Sequence, residues 1–117
     1  MRDIRRASCS TGRSSRAPLL LASSGPPAGL WPEQTYEATW LPLPKRALSI
    51  LVTDGITEAL FDMTGMAGDP IATVLAEMPR PLVPALICDA LIERTAPASS
   101  DGDGQDDRTV VAFALDT

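Results

Sequence analysis

Ala47-Leu48-Ser49-Ile50-Leu51-Val52-Thr53-Asp54-Gly55 is the stretch on which the reading of the fold turns. Its first seven residues are almost continuously apolar, and Ile50 and Val52 favour extended backbone. An apolar run of this length reads as a β-strand buried on both faces. It passes without a spacer into Asp54-Gly55. A carboxylate set directly after a buried strand is held by that strand and makes a rigid ligand. Gly55 permits an unusual backbone angle and lets a ligand approach the main chain. Asp-Gly is also a common turn dipeptide, and the bland reading of Asp54 is a turn residue. Ile56-Thr57-Glu58-Ala59-Leu60-Phe61 follows as a helical turn.

Working toward the C-terminus, Asp69 precedes Pro70, a pairing that caps a helix and supplies its first residue. Ile71, Val74, Leu75 and Met78 then recur at helical spacing until Pro79 and Pro81 break the pattern. A second helix is predicted over about Leu82–Arg94, with Val83, Ile87, Ala90 and Leu91 toward the core. Pro97 opens an acidic loop, and Thr109–Leu115 reads as a final buried strand. Asp106-Asp107-Arg108-Thr109 stands at the start of that strand. If the two buried strands pair antiparallel, the end of one lies beside the start of the other. Asp54 and Asp106/Asp107 then share one end of the sheet. Like charges so placed repel, and a divalent cation compensates them. The bland alternative is that Asp106 and Asp107 only bond a turn. Asp101 and Asp103 read as solvated. An EF-hand reading fails, because its sixth position would be Asp106 where Gly is required and its twelfth Ala112 where Glu is required.

Working toward the N-terminus, Leu19-Leu20-Leu21 is a short strand ended by Ser23-Ser24-Gly25-Pro26-Pro27. Thr35–Leu41 has strand composition and stops at Pro42 and Pro44. Trp31 and Trp40 read as packing residues, and Cys88 as a buried apolar side chain in a helix. Residues 1–16 hold five arginines against Asp3 alone. An Arg- and Ser-rich, acid-poor start has the composition of a transit peptide. The reading adopted is a disordered basic tail, leaving residues 17–116 as the domain. Pro18–Ala22 is too short for the ~7–15-residue apolar region of a secretory signal.

Composition narrows the chemistry. The 117 residues carry 10 basic and 15 acidic side chains, for a formal charge of −5, and no histidine. Absence of histidine excludes Ser-His-Asp and Cys-His nucleophile pairs and all His-ligated zinc. Two cysteines, Cys9 and Cys88, cannot build a four-thiolate site. The acidic balance argues against nucleic acid as the main partner. A cation held through carboxylates suits such a chain best. No apolar run approaches the ~18–20 residues of a membrane helix, so a cytoplasmic protein is expected.

In order along the chain, these pieces resemble a known family. Ser24-Gly25-Pro26-Pro27-Ala28-Gly29-Leu30, then Leu48–Ala59 with its Thr53-Asp54-Gly55-Ile56-Thr57-Glu58-Ala59 string, then two helices, then Asp106-Asp107-Arg108-Thr109-Val110-Val111, look like the C-terminal half of the metal-dependent protein phosphatase (PPM) family. The bacterial SpoIIE-type branch is the nearest match. The resemblance implies an α+β fold, here a partial αββα sandwich. It implies hydrolysis of phosphoserine or phosphothreonine by a water activated on two Mn²⁺ or Mg²⁺ ions, with Asp54 and Asp106 as metal ligands and catalytic residues. It further implies phosphorylated protein substrates, among them anti-anti-sigma factors. The family's remaining ligands, in an Asp-x-Ser-Gly-type motif, have no counterpart here. Arg13-Ser14-Ser15-Arg16 stands where an Asn-Ala-Gly-His-type segment is expected, and Pro44-Lys45-Arg46 where Pro-Gly-Asp is expected. The chain is therefore expected to be a truncated phosphatase domain, inactive alone, with a non-catalytic, partner-binding remnant as the alternative. Strands left without their other half would expose apolar faces and edges.

Overall fold

The structure is a computed structural model that describes residues 6–11, 18–21, 25–43, 45–64, 69–96 and 107–115. In chain order the elements are β1 (Arg6–Thr11), β2 (Leu19–Leu21), β3 (Ala47–Val52), α1 (Asp54–Thr64), α2 (Pro70–Glu77), α3 (Pro84–Arg94) and β4 (Val110–Leu115). The strands form one antiparallel sheet in the order β2-β1-β3-β4. The fold is α+β, as expected. Among the described residues there is one sheet and one set of helices.

The central strand is the one that the sequence marks. Successive side chains of a strand point to opposite faces. Leu48, Ile50 and Val52 of β3 join Ile56 and Leu60 of α1, Ile71, Val74 and Leu75 of α2, Leu82, and Ile87 and Leu91 of α3 in one buried cluster. Val110 and Ala112 of β4 pack at its margin. On the other face, Ser49 and Leu51 are half-buried. The expectation of burial on both faces thus holds fully only for the face that meets the helices.

The helices follow local rules. At α2 the Asp69 side chain accepts a hydrogen bond from the Ile71 amide at 3.1 Å, and Pro70 supplies the first residue, where its missing N–H costs nothing. At α3 Val83 sits before Pro84 in extended backbone, which proline imposes on the residue preceding it. Val83 therefore lies outside the helix and is exposed, not in the core as the spacing suggested. Ile87 and Leu91 are buried as expected. The segment read as a single turn after Asp54 is an 11-residue helix that starts at Asp54 itself.

Four other expectations are corrected. Arg6–Thr11, read as part of a disordered tail, is strand β1, paired residue by residue with β3 from Arg6 opposite Val52 to Thr11 opposite Ala47. A buried strand needs hydrogen-bond partners on both edges, and this segment, free of proline, can supply them. Thr35–Leu41, read as a strand, is exposed and irregular. Strand composition alone forms nothing without a neighbour to pair with. Trp31 and Trp40, read as packing residues, are exposed, Trp40 by 92%. β4 alternates instead of being buried throughout. Val111 is 50% and Phe113 41% exposed, because both point away from the helices.

Register gathers the described side chains of that outer face. Leu51 lies opposite Val111, Ser49 opposite Phe113 and Ala47 opposite Leu115, and none carries a charge. Exposed apolar side chains grouped on one face, as Val111 and Phe113 are, favour association. The purified chain should enhance the fluorescence of an apolar dye and scatter more light as its concentration rises. Val111→Lys with Phe113→Lys should lower both signals.

Candidate functional site

At the end of β3 the chain turns from strand to helix within one residue, Thr53. Its amide still belongs to the sheet and donates to the Thr109 carbonyl at 3.1 Å. Its carbonyl already belongs to the helix, accepting from the Ile56 amide at 3.0 Å and the Thr57 amide at 3.5 Å. An antiparallel pair would ordinarily use that carbonyl to accept from the opposite strand. Here the Thr109 amide donates to the Thr53 side-chain oxygen, Oγ1, at 2.9 Å. The same hydroxyl donates to the Asp107 carbonyl at 3.0 Å. One side chain thus extends the β3–β4 ladder past the point where the backbone leaves it.

The segment before β4 has a second anchor. The Arg108 guanidinium reaches the C-terminal end of α3, donating from Nη1 to the Ile92 carbonyl at 3.0 Å and to Thr95 Oγ1 at 3.3 Å. Thr95 is buried and donates to the Leu91 carbonyl at 2.7 Å. A cation at the carbonyl end of a helix is favoured by the helix dipole and caps orphan acceptors.

These bonds locate the residues singled out in the sequence. Asp54 is half-buried at the first position of α1, where the helix dipole favours a carboxylate. Asp107 is exposed, and its backbone is within one hydrogen bond of the residue before Asp54. The end of β3 and the start of β4 therefore meet at one end of the sheet, with Val52 opposite Val110. Asp106, together with Asp101 and Asp103, lies outside the described residues. Gly55 is buried in the first turn of α1 with helical backbone, so the unusual angle expected of it is not used. Cys88 is a half-buried free thiol whose Sγ lies 3.9 Å from the Val110 carbonyl. Sequence reasoning overlooked Thr53 and Arg108. A Thr between a buried strand and an acidic helix start was the available signal for the first.

As donors, Asp54 and the adjoining acidic segment offer oxygen only, the chemistry of hard cations such as Mg²⁺ and Mn²⁺. In number those among the described residues fall short: no three described His, Cys, Asp or Glu side chains are grouped as a metal site.

The sequence profile of the stage II sporulation protein E (SpoIIE) family matches residues 9–116. The chain belongs to the SpoIIE family. The match begins inside β1 and runs past the end of β4, so the second half of β1, the other three strands, the three helices and both acidic strand ends lie within it. The chain is thus a SpoIIE-type member of the PPM phosphatases, of phosphatase and hydrolase origin, and the SpoIIE family is generally metal-dependent. No curated protein and no solved structure matches the chain. No helix among the described residues is long and apolar enough to cross a membrane.

Proposed function

We propose that this chain is a fragment of a metal-dependent protein serine/threonine phosphatase that keeps part of the metal site and is inactive alone. The observation that carries the reading is the Thr53 bridge, which joins the two acidic strand ends at one end of the sheet. Asp54 and Asp106 are the ligands this chain would contribute to Mn²⁺ or Mg²⁺. A bound two-metal centre would lower the pKa of a water and clamp the entering and leaving oxygens of an in-line displacement at phosphorus. The chain's own part is to hold its carboxylates on a rigid sheet end. The remaining ligands, and the second sheet of an αββα sandwich over the Val111–Phe113 face, would come from residues that this sequence does not contain. The substrate class is a phosphoserine or phosphothreonine protein, such as a phosphorylated anti-anti-sigma factor, in the cytoplasm.

The exposure of Val111 and Phe113 also favours a second reading, a non-catalytic half-domain that binds a partner protein. Calorimetric titration with Mn²⁺ separates the two. A retained part-site binds Mn²⁺, and Asp106→Asn or Asp54→Asn weakens that binding by no less than the ~10–100-fold that loss of an outer-shell partner costs a metal site. A wild-type chain that takes up no Mn²⁺ is the remnant.

A further inference from the structure

We propose that Thr53 is a positioning residue, whose hydroxyl fixes the spacing between Asp54 and Asp107 at the start of β4. The inference rests on the reading of the two strand ends as one site, and adds to it the part that holds them together. The argument is one of hydrogen-bond accounting. A chain that leaves a sheet to start a helix must spend one carbonyl twice. The Thr53 carbonyl serves Ile56 and Thr57 in the helix, so the Thr109 amide across the ladder needs another acceptor. A residue with an apolar side chain at position 53 would leave that amide to water and let the start of β4 swing. The Thr53 hydroxyl supplies the acceptor, and its single proton is directed to the Asp107 carbonyl. Accepting from one residue and donating to another two positions away fixes both the distance and the angle of the segment. A hydroxyl can do this because it is donor and acceptor at once. Asp54 follows Thr53 directly and Asp107 is itself a partner of the clasp, so the two described acidic residues are tied together through their backbones. Arg108 cannot do the same work. It ties the segment to α3, and none of its hydrogen bonds described above reaches β3 or α1.

The test uses the full chain labelled with ¹⁵N. Thr53→Val keeps the shape and removes the hydroxyl, Thr53→Ser keeps the hydroxyl, and Arg108→Gln loosens only the other anchor. Two quantities are read. The first is hydrogen exchange at the Thr109 amide, with the Leu91 amide of α3 as an internal control. Thr53→Val should speed exchange at Thr109 about tenfold, as expected for the loss of one net hydrogen bond, and leave Leu91 unchanged. Thr53→Ser should restore the wild-type rate. The second is paramagnetic broadening by added Mn²⁺. In the wild-type chain it should reach the amides of both Asp54–Thr57 and Asp107–Thr109. In Thr53→Val it should persist at the first group and fade at the second, and Thr53→Ser should bring it back. Arg108→Gln should leave the Thr109 exchange rate as in wild type. Wild-type exchange at Thr109 in Thr53→Val overturns the proposal. If Mn²⁺ broadens neither group in the wild-type chain, the metal-site reading fails by itself and the exchange rates still decide the role of Thr53. The temperature coefficient of the wild-type Thr109 amide needs no variant. A bonded value supports the clasp, and a water-exposed value refutes it.

Discussion

With Mn²⁺ and a phosphoserine peptide or an aryl phosphate, the purified chain should release phosphate at a rate indistinguishable from buffer. Uncatalysed phosphate-monoester hydrolysis is among the slowest reactions known, and enzymes lower its barrier by up to roughly 20 kcal/mol or more. That gain needs the attacking and leaving oxygens to be stabilised together. Among the described residues, Asp54 is a single half-buried carboxylate at the sheet end, next to an exposed Asp107. A part-site of this kind can hold a cation without orienting a water against phosphorus. Asp54→Asn should therefore cause no further loss, because there is no turnover to remove. Robust Mn²⁺-dependent hydrolysis that Asp54→Asn abolishes would show the fragment reading to be wrong. Phosphate release followed over hours at several Mn²⁺ concentrations decides the matter.

Ile56→Ala should lower stability by about 2–5 kcal/mol. Ile56 is fully buried at the third position of α1, within the cluster that also holds Ile50, Leu60, Ile87 and Leu91. Truncation removes apolar contact and leaves a cavity that a sheet on one side and three helices on the other cannot easily close. Single domains are stable by only about 5–15 kcal/mol, so the loss is a large share of the total. Urea unfolding monitored by circular dichroism measures it as a lower midpoint. Trp40→Ala is the matching control. Its side chain is almost wholly exposed, and the expected change lies within about 0.5 kcal/mol. A small effect of Ile56→Ala, or a large one of Trp40→Ala, would put the core elsewhere.

Much of this arrangement was legible in the sequence. β3 announced itself by an unbroken apolar run, and α2 by Asp69-Pro70 and the spacing of Ile71, Val74 and Leu75. These signals are local, carried by residues a few positions apart. The ordered pair of acidic strings gave the family. The signals that failed were non-local. Nothing in Arg6–Thr11 announces a strand until β3 is known to need a second neighbour. Nothing in Thr35–Leu41 tells that its neighbour is missing. β4 reads as buried because Val111 and Phe113 are as apolar as Val110 and Ala112, and only the placement of the helices separates the two sets. Thr53 was legible as a residue type but not as a bond, since its partners lie more than fifty positions along the chain.

The strand order has a mechanical consequence. β1 lies inside the sheet and β4 at its margin, so the two ends of the molecule respond differently to load. Tension applied near Arg6 pulls directly on an interior strand held by neighbours on both sides. Tension applied near Leu115 can peel a single edge and leave the other three strands clasped together.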